Sequence, residues 1–154
     1  MEFRPTRLAD IGETYGIRAS TRQNPIPETE LISAGFTPQA VAGRYASGEY
    51  VGWVCETEKR LVGFAAGNTL TGEIIVIAVL PEYEGKRVGK TLLTLLVESL
   101  VAKGCARLWL EASPDPEIRA HGFYRANGWV PSGIKAGNGD EVLELFFPDI
   151  DSHP

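Results

Sequence analysis

The sequence predicts a mixed α/β domain, one sheet with helices on both of its sides. Three observations carry that reading. The chain has 154 residues, the size of one domain, and 44% of them are hydrophobic, enough for a packed core. Glu73 to Leu80 is almost continuously apolar, as a central strand covered on both faces would be. Val88 to Lys103 has a helical period, with Val88, Leu92, Leu93, Leu96, Val97 and Leu100 on one broad stripe and Lys90, Thr94 and Glu98 opposite.

The remaining elements follow in order. Glu2 to Leu8 can form a first strand. Ala9 to Ser20 reads as a helix, with Asp10 as its N-cap and Ile11, Tyr15 and Ile17 on its apolar side. Thr21 to Phe36 is rich in proline and polar residues, including Asn24-Pro25-Ile26-Pro27, and is expected to be a shaped loop because proline cannot continue a helix. Thr37-Pro38 starts a second helix, with threonine as cap and proline at the first position. It runs to Ser47, and Gly48 stops it. Tyr50 to Glu56 alternates as a strand, Glu58-Lys59-Arg60 turns, and Leu61 to Asn68 is the next strand. After the long helix, which Gly104 caps, Arg107 to Ala112 is a strand and Arg119 to Ala126 a short helix. Trp129-Val130 and Glu141 to Phe147 suggest a closing hairpin through Gly137-Asn138-Gly139-Asp140.

Bulk properties exclude several classes. A net charge of −5 does not favour a nucleic-acid surface. It suits a cationic amine substrate but is also ordinary for a soluble protein. No apolar run reaches membrane-spanning length, so no membrane partner is expected. Met1-Glu2-Phe3-Arg4-Pro5 lacks the layout of a signal peptide, and a cytoplasmic location is the expectation. Cys55 and Cys105 have no metal or redox spacing and read as buried thiols. Histidine and cysteine are too few and too far apart for a zinc site, so no metal is expected.

The stretch Val79 to Thr91 carries the chemistry. An apolar strand runs into a short basic loop with glycines, and the loop opens a helix. The first N–H groups of a helix lack intrahelical partners, and the helix dipole adds positive character there. Gly85 and Gly89 allow close backbone approach, and Lys86, Arg87 and Lys90 add charge. A phosphorylated ligand is therefore expected. One reading is a nucleotide-binding P-loop, since Gly85 to Thr91 reads G-x-x-x-G-K-T. A P-loop needs four residues between its glycines, and here there are three.

The second reading is a resemblance. Val79-Leu80-Pro81 followed by Glu84-Gly85-Lys86-Arg87-Val88-Gly89 resembles the acyl-CoA loop of the GNAT family of N-acyltransferases, Gln/Arg-x-x-Gly-x-Gly/Ala after a V-x-P turn. Glu84 stands where the pattern has Gln or Arg, and Arg87 where it has its first glycine. Ala120-His121-Gly122-Phe123-Tyr124-Arg125-Ala126-Asn127-Gly128-Trp129 resembles the family's later motif, A-x-x-F/L-Y-x-x-x-G-F/W, with one helix and one strand between the two. Together they cover the C-terminal half. Glu117 occupies a position where family members often carry asparagine.

The resemblance implies a single GNAT-like domain over 1–148 with a tail at 149–154, built on a mixed, mostly antiparallel central sheet. It implies acetyl-CoA as co-substrate and direct transfer of the acetyl group to a primary amine of a small molecule or peptide. The backbone of Ile77, Ala78 and Val79 would run beside the pantetheine arm, and Gly85, Lys86, Arg87, Val88, Gly89 and Lys90 would hold the diphosphate. The family's β-bulge in this strand is not visible in the sequence. Tyr124 matches the general acid: a phenol near pKa ~10 can donate to a thiolate whose conjugate acid is near ~8.5. Its other reading is a tyrosine packed beside Phe123. Glu111 matches a position where some members place a base, and reads equally as a solvated strand-end carboxylate. Glu56, Glu141 and Glu144 are further carboxylates. Arg18, Arg22 and Asn24 fall in or beside the loop where substrate contacts lie, and read also as turn and salt-bridge residues.

Two rivals stay open at this level: the P-loop protein, and an acyl-CoA-binding module without catalysis, motivated by Glu84, Arg87 and Glu117. The acceptor amine is not named by the sequence. A C-terminal strand edge would offer pairing between two copies of the chain.

Overall fold

The computed structural model describes residues 1–147. The tail expected at 149–154 lies outside them. The elements are β1 (Glu2–Pro5), α1 (Ile11–Ala19), α2 (Glu28–Ser33), α3 (Pro38–Ser47), β2 (Tyr50–Thr57), β3 (Arg60–Asn68), β4 (Ile74–Val79), α4 (Val88–Ala102), β5 (Arg107–Ala112), α5 (Arg119–Ala126), β6 (Val130–Lys135) and β7 (Glu141–Phe146).

The expected single sheet is split into two. One half has four strands in the order β1-β2-β3-β4, the other three in the order β5-β7-β6, and neighbours within each half are antiparallel. A parallel bridge between Glu73 and Trp109 joins them. β7 lies between β5 and β6, so the C-terminal strand has no free edge. The open edge of that half belongs to β6, where Val130 and Ile134 are exposed.

α4 covers one face. Val88, Leu92, Leu96 and Leu100 are buried against Cys55, Val62 and Ala65. Gly67 permits the close approach: a Cβ there would lie 2.9 Å from Leu100 Cδ1. α1 covers the other face, where Ile17 packs with Val54, Leu61, Phe64 and Ala78.

Two local expectations are corrected and one is qualified. Asp10 stands at the N-cap position of α1, but its side chain makes no capping hydrogen bond to that helix. It closes a preceding 3-10 turn at Leu8–Asp10, and its carboxylate accepts from the Arg4 guanidinium at 2.8 and 2.9 Å and from the Arg7 N–H at 2.7 Å. The Arg4 bond holds this carboxyl below the usual carboxylate range, and burial opposes the shift. The first strand ends at Pro5 because the chain turns there to make this buried pair. The supposed loop contains α2, which starts after extended Pro27 with Glu28 and Glu30 in its first turn, where carboxylates favour the helix dipole. The Thr37 cap holds: its hydroxyl oxygen accepts from the Ala40 N–H at 3.1 Å.

Candidate active site

The split between the half-sheets makes the site. At its apex the Trp109 N–H donates to the Gly72 carbonyl at 3.1 Å. Beyond this point β4 and β5 diverge around a cleft of about 900 Å³. The Leu80 N–H donates to the Val62 carbonyl at 2.9 Å. Antiparallel alternation then turns the N–H and C=O of Ile77 and Val79 away from β3, onto the open edge. The backbone of Ala78 is spent on β3 and its side chain is buried. So two of the three residues expected beside a pantetheine arm present free backbone groups.

β4 also carries a bulge. Ala66 pairs with Val76 but Gly67 pairs with Ile74, which leaves Ile75 as the extra residue. A bulge is a mismatch of register between two strands, and β4 alone gives no sign of it.

α4 begins where β4 points. Thr91 makes the first intrahelical bond, to the Arg87 carbonyl at 3.0 Å. The amides of Val88, Gly89 and Lys90 therefore have no helical partner, and these residues wall the cleft. Arg87 takes the left-handed conformation, φ 65°, that the family pattern gives to glycine. The loop keeps the glycine shape at a strain of about 1–3 kcal/mol. Gly85 is also left-handed, at φ 75°. Lys86 stands outside the cleft wall, with its ammonium 5.5 Å from the Tyr83 ring centroid.

Glu84 is a carboxylate at the edge of this anion site, and two guanidiniums offset it. Its Oε2 accepts from Arg22 Nε at 3.0 Å and from Arg119 Nη1 at 2.8 Å. Arg22, expected at the acceptor, is thus paired with Glu84 in the loop that leads into α4. Asn24 sits at φ 52°, and its carbonyl accepts from Arg18 Nη1 at 2.6 Å, so it shapes the turn and orients Arg18.

Tyr124 reaches the cleft from α5. Its ring packs edge-on against Phe123 and Trp129, with centroids 5.2 and 6.1 Å away. Tyr124 is packed beside Phe123, as one sequence reading has it, and it also walls the cleft. Burial pushes its phenol up to about 12, with the positive charge of Arg18 pulling the other way. Glu111 walls the cleft from β5 and is exposed, with no salt bridge among the described residues. The other carboxylates are occupied: Glu56 lies 3.5 Å from Arg4, Glu141 takes Arg125 at 2.8 Å, and Glu144 takes Arg107. Glu73, at the apex, is a carboxylate that no sequence motif marks. Burial raises its carboxyl, and the nearby charge of Glu111 adds to that.

Among the described residues no helix is long and apolar enough to cross a membrane. No group of three or more His, Cys, Asp or Glu among them could hold a metal ion.

An antiparallel sheet split at a bulged strand, with a helix N-terminus at the end of the split, is the arrangement that the resemblance to the GNAT family implies for an acyl-CoA cleft. The comparisons agree. Residues 17–129 match the model of the Acetyltransferase (GNAT) family. A Bacillus subtilis protein provisionally named a ribosomal protein bS18-alanine N-acetyltransferase is 32% identical over 149 residues, 93% of this chain and 92% of the relative. The fold matches a PaiA N-acetyltransferase from Thermoplasma acidophilum solved in complex with coenzyme A, at TM-score 0.77 and 18% identity over 96% of this chain and 100% of that one. It also matches the ribosomal-protein-S18-alanine N-acetyltransferase of Escherichia coli, at TM-score 0.67 and 19% identity over 99% and 98%. The chain belongs to the GNAT family of acetyltransferases. It is an acetyl-CoA-dependent N-acetyltransferase, and the P-loop reading is set aside.

Proposed function

We propose that acetyl-CoA and a primary amine meet in the β4–β5 cleft, with Glu111 as base and Tyr124, the expected general acid, as hydrogen-bond donor to the leaving thiolate. The observation that carries this reading is the open edge of β4, Ile77 and Val79, leading to the free amides of Val88, Gly89 and Lys90. Unpaired N–H and C=O groups at an edge suit an arm that bonds like a strand, and a helix N-terminus suits a diphosphate. When bound there, acetyl-CoA supplies the acetyl group as a thioester.

The residues do the rest. Glu111 takes the proton that the substrate ammonium must lose before its nitrogen can attack, because an amine near pKa ~10.4 is mostly protonated at neutral pH. Tyr124 is protonated at every working pH, since its phenol lies at about 12. Complete transfer from such a phenol to a thiolate of pKa ~8.5 is uphill by about 5 kcal/mol. Tyr124 therefore acts as a hydrogen-bond donor to the departing sulfur, and the charge of Arg18 favours that donation. The Glu84 and Arg87 departures that motivated a non-catalytic module are compensated, one by Arg22 and Arg119, the other by a left-handed backbone.

Glu111→Gln tests the assignment of the base. At pH 7 we expect kcat/KM to fall about 100-fold. The deficit should shrink to a few-fold near pH 10, where the amine is largely deprotonated without help. A deficit that does not change with pH, or none at all, assigns the base elsewhere, and Glu73 is then the next residue to replace.

A further inference from the structure

Beside the cleft lies a second cavity of about 220 Å³, between α1, α2 and α3 on one side and β3 and β4 on the other. It meets the cleft at Arg18, Ile75 and Val76, which wall both. Its character is apolar: Ile26, Leu31, Phe36, Val41, Phe64 and Ala66 line it together with three tyrosine rings. The Tyr15 hydroxyl donates to the Phe36 carbonyl at 2.7 Å, and the Tyr50 hydroxyl accepts from Arg44 at 3.2 Å. These phenols are bound to protein groups and present ring surface. Among the described residues the lining contains no carboxylate, and its one charged residue is Arg18.

Arg18 is incompletely matched. It is half-buried, and its Nη1 donates to two neutral oxygens, the Asn24 carbonyl at 2.6 Å and Thr21 Oγ1 at 3.4 Å. Among the described residues no carboxylate lies within 4.0 Å of it. Glu30 acts on it only at longer range, and burial pulls the guanidinium down. A partly desolvated cation without a counter-ion gains most from a ligand that brings one.

We propose that the acceptor is a free α-amino acid with a bulky apolar side chain, the side chain seated in this cavity and the carboxylate on Arg18. The proposal rests on the acetyltransferase reading above. Size supports it, since an apolar cavity of about 150 Å³ holds a benzene ring, so a branched or aromatic side chain fits here. Charge supports it too. A polyamine or aminoglycoside would bring further cations to a cavity whose only charge among the described residues is positive. The amine, one bond from the carbon that bears both groups, is then left at the mouth, where the cavity meets the cleft.

The test measures thiol release from acetyl-CoA by the full chain, with leucine and phenylalanine, their decarboxylated amines, alanine, spermidine and an alanine-initiated peptide. Leucine or phenylalanine should exceed its decarboxylated amine, and spermidine, about 100-fold in kcat/KM. Arg18→Gln should raise KM for the amino acid about 10-fold or more and leave KM for the decarboxylated amine within a few-fold, while any loss of kcat through Tyr124 is shared by both. Should that variant fail to fold, the wild-type panel decides alone. Preference for a decarboxylated amine, spermidine or the peptide overturns the proposal while leaving the acetyltransferase intact. Coenzyme A binding with no thiol release from any amine overturns both.

Discussion

Tyr124→Phe should lower kcat about 100-fold or more and leave the affinity for coenzyme A within a few-fold. The substitution removes one hydroxyl from a ring that packs on Phe123 and Trp129, so the wall of the cleft is kept. What is lost is the donor to the departing sulfur, which acts in the transition state and not in the ground state. The pH profile sharpens the test. A group whose folded pKa is raised from 10.0 to about 12 stays protonated up to that value, so Tyr124 contributes no falling limb between pH 6 and 10. Wild-type kcat/KM should rise with pH as the amine deprotonates, and the variant should follow a parallel, lower curve. A change in the shape of the profile, with no fall at pH 8, would make Tyr124 a packing residue. So would unchanged turnover.

Gly72→Ala should destabilise the fold by about 4 kcal/mol, read from urea unfolding. Two costs add. Gly72 sits at φ 78°, where an L side chain costs about 1–3 kcal/mol. Its new Cβ would lie 2.3 Å from the Arg107 carbonyl oxygen, a contact that forces backbone to move, at about 1–3 kcal/mol more. The residue that must move is on β5, and the Gly72 carbonyl is the acceptor that ties β5 to the apex. Set against a usual domain stability of about 5–15 kcal/mol, the variant should be only marginally folded. If it folds, the cleft should open differently and coenzyme A should bind more weakly. A loss under 1 kcal/mol with normal binding would mean that the apex is not where the two half-sheets are pinned.

The parts of this molecule that were legible in the sequence are local. The α4 stripe, the Thr37-Pro38 start, the Arg107–Ala112 strand and the loop from Gly85 to Lys90 each announce themselves within a few neighbours. The loop could be matched to its later partner, Ala120 to Trp129, only because both motifs are contiguous. Features set by pairing across the chain were hidden. The bulge at Ile75 depends on the register of β4 against β3, the splay on a glycine at the foot of β4, and the central place of β7 on a partner more than thirty residues away. Asp10 stands at the cap position the sequence marks, but the sequence does not show that Arg4 lies across from it and takes its carboxylate. In 21–36 the prolines masked α2, whose Pro27 is the residue that starts it. The role of Glu84 changed for the same reason: its partners Arg22 and Arg119 are remote in sequence.

The central claim is that backbone groups of β4 and α4 hold coenzyme A. Residue-resolved amide hydrogen exchange, with and without saturating coenzyme A and with Mg-ATP as control, tests it most directly. Coenzyme A should slow exchange about 10-fold or more at Ile77, Val79, Val88, Gly89 and Lys90, amides without strand or helix partners in the free protein. Mg-ATP should leave them unchanged. Binding of coenzyme A without protection at these amides, or protection of Gly85 to Thr91 by Mg-ATP, would contradict the account.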